Sequence, residues 1–123
     1  YSHLFSQDED SDTYAWLEEL GSYSPIIHLQ QVISDKSAHL PFTEKYNDLG
    51  VIQPQKVLKA LYKSYLKKPD CFLPEKVDSI FLTLELFSGT AETNQEIVTK
   101  IRDSISYWRR FVPEDGLLLK ELI

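Results

Sequence analysis

The stretch from Leu73 to Gly89 constrains this chain more than any other. Pro74 suits a first helical position, Glu75 the positive start of a helix and Gly89 its end. Between them Val77, Ile80, Phe81, Leu84 and Phe87 follow the three-four spacing of a helix face, and Leu82 and Leu86 are apolar on the other side. A helix that is apolar nearly all round is a buried one. The pattern therefore predicts a buried central helix over residues 74–88 with shorter amphipathic helices packed around it.

The rest of the chain is read the same way. Asp12 caps a helix over Thr13 to Leu20 that ends at Gly21. Further starts fall at Ser24-Pro25, Leu40-Pro41 and Pro54, and the last of these opens a wide apolar stripe of Val57, Leu58, Leu61, Tyr62, Tyr65 and Leu66. Thr93 and Glu96 stand in capping-box register before an amphipathic run through Ile97, Ile101, Ile105 and Trp108, and Glu114-Asp115 open a last short helix after Pro113. Five of the six prolines, at 25, 41, 54, 74 and 113, sit where a helix would begin. No two-residue alternation of useful length is visible. The expectation is an all-α, single-domain, irregular helical bundle of about six or seven short helices: an acidic flexible arm over residues 1–11 and one helical domain over 12–123.

Composition narrows the function classes. At 123 residues with 42% hydrophobic and 26% charged side chains, the chain can bury a core of its own. The absence of Met and the start at Tyr1 suggest a domain excised from a larger protein. Cys71 is the single cysteine, so an internal disulfide is ruled out and an intracellular setting is expected. No apolar run approaches a membrane span. Residues 1–20 hold Asp8, Glu9, Asp10, Asp12, Glu18 and Glu19 with no Lys or Arg, which accounts for the whole net charge of -6. The remaining body is neutral, which argues against nucleic acid as the main ligand.

Candidate sites are few. Asp8, Asp10, Asp12 and Glu19 match positions one, three, five and twelve of a calcium loop, but Thr13 stands where the turn needs Gly, so a solvated acidic tail is the preferred reading. Tyr14, Trp16, Leu17 and Leu20 would suit a docking helix or, preferably, a cap on the domain's own core. Ser6 and Ser11 precede acidic residues in contexts that suit an acid-directed kinase. His3, His28 and His39 show no metal spacing, His28 reading as a core or helix-surface histidine, and Cys71 lacks a neighbour to lower its pKa. Lys56, Lys59, Lys63 and Lys67 form a stripe that could receive an acidic peptide, including this chain's own N-terminus.

These features lead to a non-catalytic protein–protein interaction module of adaptor or regulatory type, without a cofactor. Its partner is expected to be another protein, met through an amphipathic helix or acidic peptide at Trp16, Tyr62, Lys63, Tyr107, Trp108 and Arg109. The alternatives are a calcium- or small-ligand-responsive helical domain and a nucleic-acid-binding one.

Overall fold

Asp12 opens the first helix, α1 (Thr13–Leu20), by accepting the Tyr14 N–H at 3.0 Å. In the computed structural model of the chain, which describes residues 11–33 and 36–123, a 3-10 turn over Gly21–Tyr23 leads from α1 into strand β1 (Ile26–Leu29). Strands β2 (Gln31–Ile33) and β3 (Lys36–Leu40) form an antiparallel hairpin, followed by a one-turn helix α2 (Glu44–Asn47). Then come α3 (Pro54–Leu66), strand β4 (Phe81–Leu84) and α4 (Asn94–Trp108), and a 3-10 turn over Leu119–Glu121. Among the described residues no helix is long and apolar enough to cross a membrane.

The expected all-α bundle is thus corrected to a mixed α/β fold, and the expected central helix is where it fails. Residues 74–80 form no helix and Phe81–Leu84 is a strand, paired in parallel with β1 in the register Ile26–Phe81, Ile27–Leu82, His28–Thr83 and Leu29–Leu84. The physical reason lies in where the backbone hydrogen bonds go. Val77 N–H donates to Ser22 O at 2.8 Å, Phe81 N–H to Pro25 O at 2.9 Å and Glu85 N–H to Leu29 O at 2.8 Å. The Tyr65 hydroxyl donates to Val77 O at 2.6 Å, taking an acceptor that a helix would have used internally. Only Pro54 among the five prolines occupies the start of a helix of more than one turn; Pro25 precedes a strand, which suits the extended bias it imposes on its neighbours.

The helices cover one face of the parallel pair. Ile27, Leu29, Leu82 and Leu84 turn toward a core of Phe42, Ile52, Val57, Leu61 and Trp108, with Tyr14 and Leu17 of α1 packed against it. The other face, bearing Ile26, His28, Phe81 and Thr83, is exposed. α1 lies on α3, and the close approach requires Gly21, since a Cβ there would run into Leu61. Beside it the buried Ser64 hydroxyl accepts from Ser22 N–H at 3.0 Å and donates to the Ser22 hydroxyl at 2.8 Å. Lys76 closes the end of α3, its ammonium donating to Ser64 O at 2.8 Å and Tyr65 O at 3.2 Å.

Gln31, fully buried at the start of β2, holds the hairpin against the body. Its amide donates to Ile52 O at 2.9 Å and accepts from Ile52 N–H at 2.9 Å and Val32 N–H at 3.2 Å. Gly50 sits directly over this amide, where any Cβ would collide with it.

Candidate active site

Both strands of the parallel pair carry an ionisable residue at or just past their carboxyl ends. His28 is the third residue of β1 and Glu85 follows β4 directly, its N–H continuing the ladder to Leu29 O. Strand alternation places His28, Thr83 and Glu85 on the exposed face, away from the helices. The carboxyl ends of parallel strands are where α/β proteins collect their ligands, because side chains from neighbouring strands converge there on a common opening.

The hairpin adds a third group. β3 brings His39 to Glu85, so that the carboxylate meets His28 Nδ1 through Oε2 at 3.5 Å and His39 Nε2 through Oε1 at 3.3 Å. Their side chains are 62% (His28), 38% (Glu85) and 26% (His39) exposed, open enough for a ligand to reach and enclosed enough to hold an orientation. The His39 ring stacks on Phe87, with centroids 3.7 Å apart and planes within 16°. Each imidazole takes a different oxygen, so the three groups form a row. Among the described residues no set of three or more His, Cys, Asp or Glu is arranged to hold a metal ion.

Two grooves flank the parallel pair. One of about 1240 Å³ lies between α3, β4 and α4, lined mainly by apolar groups such as Leu58, Tyr62, Leu82 and Ile101, and it excludes His28, His39 and Glu85. The other, about 510 Å³, runs between α1 and β1 and includes His28 and Gln30, whose Oε1 is buried without a partner among the described residues. The larger groove offers volume; the chemistry is at the strand ends, where a carboxylate and two imidazoles lie together.

The residues singled out from the sequence are dispersed. Trp16 is on the outer side of α1, about half exposed. Lys63 pairs with Glu18 at 3.4 Å and Lys67 with Glu19, so the lysine stripe meets this chain's own α1. Tyr62 lines the larger groove, as does Trp108, which is buried edge-on to Phe42 at 5.7 Å. Burial holds the Tyr107 phenol above its usual range, with Arg110 opposing and Asp48 adding to the rise. Arg109 pairs with Asp115 at 3.1 Å. Asp12 caps α1 and Glu19 is committed to Lys67, while Asp8, Asp10 and Ser6 lie outside the described residues; Ser11 is exposed just before the cap. Glu85 was hidden in the expected central helix, and His39 was noted only as a histidine without metal spacing. The signal that could have found the site is a pair of short apolar runs, Ile26-Ile27 and Phe81-Leu82-Thr83-Leu84, each followed at once by an ionisable residue.

Comparison with known proteins bears on the function class. No family model matches the chain. A curated protein, the D-erythrulose 1-phosphate 3-epimerase of Brucella abortus (strain 2308), is 36% identical over 101 residues, which cover 81% of this chain and 29% of that protein. The chain therefore spans less than a third of the length of the curated relative it matches. This similarity overturns the expectation of a non-catalytic adaptor: most of the chain is alike in sequence to part of an enzyme.

Proposed function

We propose that this chain forms part of a sugar-phosphate 3-epimerase, acting on a ketose 1-phosphate such as D-erythrulose 1-phosphate, with Glu85 as a proton-transfer group. The similarity to the curated epimerase carries this reading. The strand-end geometry gives it a mechanism.

Epimerisation at carbon 3 of a 2-ketose inverts a centre next to a carbonyl. The proton on that carbon is acidified by the carbonyl, and its removal leaves an enediolate that is planar at carbon 3. Return of a proton to the opposite face, from a second acid or from solvent, gives the inverted centre, with no net oxidation. Such chemistry needs a base within hydrogen-bond reach of the proton and donors near the oxygen where charge develops. The Glu85 carboxylate, on the open face, is suited to the first task. His28, more exposed and on the neighbouring strand, is suited to polarise the substrate oxygen. Ile26 and Phe81, farther down the same face, provide the apolar floor common in small-molecule sites.

An intracellular setting belongs to the same proposal, since phosphorylated sugars are held inside cells and Cys71 is an exposed free thiol. The test is direct. Purified full-length protein incubated with D-erythrulose 1-phosphate should yield the 3-epimer, resolved by chiral chromatography after dephosphorylation. No conversion of this or other short ketose 1-phosphates would refute the reading.

A further inference from the structure

The Glu85 carboxylate is held from two sides, and the two sides are built differently. His28 belongs to the parallel ladder and is the most exposed of the three groups. His39 comes from outside the ladder, on a hairpin strand, and is the least exposed. Three separate contacts join it to the segment after β4. Its Nε2 meets Glu85 Oε1 at 3.3 Å, its ring stacks on Phe87, and its main-chain oxygen accepts the Phe87 N–H at 3.3 Å. Glu85 and Phe87 are two residues apart, so a single histidine clamps both ends of the Glu85-Leu86-Phe87 step.

The placement of Phe87 is otherwise unexplained. Phe87 is 63% exposed, so core packing is not what holds it. Stacked aromatic rings attract beyond the area they bury, and here the stack restrains the plane of the imidazole. In that plane Nε2 meets Glu85 Oε1 at 3.3 Å. A glutamate has three freely turning side-chain bonds, and a base that wanders by an ångström loses much of its rate.

We propose that His39, braced by Phe87, is a positioning residue that fixes the Glu85 carboxylate for proton transfer, while the more exposed His28, at the other carboxylate oxygen, is the histidine that meets the substrate. The role rests on the epimerase reading above. His39 does not touch the reacting carbon. It acts through Glu85, holding Oε1 so that Oε2, beside the exposed His28, lies on the substrate side. The two histidines therefore divide the work according to exposure: the outer one meets substrate and the inner one meets the base.

The test uses full-length protein and steady-state epimerisation of D-erythrulose 1-phosphate by wild type, His39→Ala, His39→Gln and Phe87→Leu. Orientation effects of this kind reach about 100-fold. The expected result is a fall in kcat of about 10- to 100-fold for His39→Ala with KM within about threefold of wild type. Gln can still donate toward Oε1 and should recover most of the loss; Phe87→Leu should lose about three- to tenfold in kcat, again with little change in KM. Because Phe87 is exposed, its replacement leaves the fold intact and keeps the test valid even if His39→Ala unfolds. If wild type epimerises and both His39→Ala and Phe87→Leu match it, or if their effect falls on KM alone, the positioning role is wrong and the proposed function stands. If wild type does not epimerise, the proposed function falls and takes this role with it.

Discussion

Replacing Gln31 with Leu should cost far more than its lack of charge suggests. The side chain is fully buried and its amide serves both polar groups of Ile52, itself nearly buried, as well as the Val32 N–H. Leucine fills a similar volume and leaves all three main-chain groups without their partner. An unsatisfied buried group costs about 1–3 kcal/mol, so the two on Ile52 together cost about 2–6 kcal/mol, and the half-buried Val32 N–H adds less because water reaches it. Burying the leucine side chain returns roughly 1–2 kcal/mol. The net loss is about 1–4 kcal/mol, a large share of the total stability of a domain this size. Equilibrium urea unfolding measures it: with a slope of about 1–3 kcal/mol per molar, the midpoint should fall by about 1 M or more. The same substitution should loosen the hairpin, since Gln31 stands opposite Leu40, the neighbour of His39, and so should lower the proposed epimerase activity at temperatures where the protein remains folded. A stability loss under about 0.5 kcal/mol would show that the amide is not holding the residue 52 segment, and that the hairpin is placed by other means.

Other expectations follow from single contacts. Gly50→Ala should destabilise by about 1–3 kcal/mol in the same unfolding assay, because its Cβ collides with the buried Gln31 amide. Tyr14→Phe should cost about 1–2 kcal/mol, losing the hydroxyl that donates to Val51 O at 2.6 Å and accepts from Gln53 N–H at 2.9 Å. Burial raises the Tyr14 pKa above 10.0, with the Gln53 N–H opposing and Asp12 adding, so the folded state holds that proton more tightly than the unfolded one. Its contribution is complete below pH 10.0 and is lost as pH rises through the folded value; Tyr14→Phe should flatten part of that alkaline decline in thermal melts. Lys63→Ala should change stability by less than about 1 kcal/mol, because the pair with Glu18 is exposed to solvent.

The helices were legible because each carries its own local instructions. Asp12 accepts the Tyr14 N–H, and Thr93 accepts from Glu96 N–H at 3.1 Å, as their spacing implies. Pro54 starts a run whose apolar stripe faces the core. The parallel strands carry no such instructions. Ile26–Leu29 and Phe81–Leu84 are four residues each and almost wholly apolar, too short to show alternation, and an apolar run of that length reads equally well as buried helix. Their partners lie far apart in sequence, separated by a hairpin and two helices. The site inherits the same difficulty. His28, His39 and Glu85 are brought together only by pairing β1 with β4 and folding the hairpin over the strand ends, so no spacing in the sequence announces them. Residues that sequence reasoning favoured, such as Lys63 and Arg109, drew notice as charges on helices, and the structure occupies them with Glu18 and Asp115.

The central claim is that Glu85 moves the proton at carbon 3. It is tested most directly by incubating D-erythrulose 1-phosphate in D2O with full-length wild type and with Glu85→Gln, and following loss of the carbon-3 proton signal by NMR. The account predicts that wild type exchanges this proton for deuterium and that Glu85→Gln slows the exchange by about 100- to 10,000-fold, the range for losing a general base. Exchange by Glu85→Gln at the wild-type rate, or none by wild type, would contradict it.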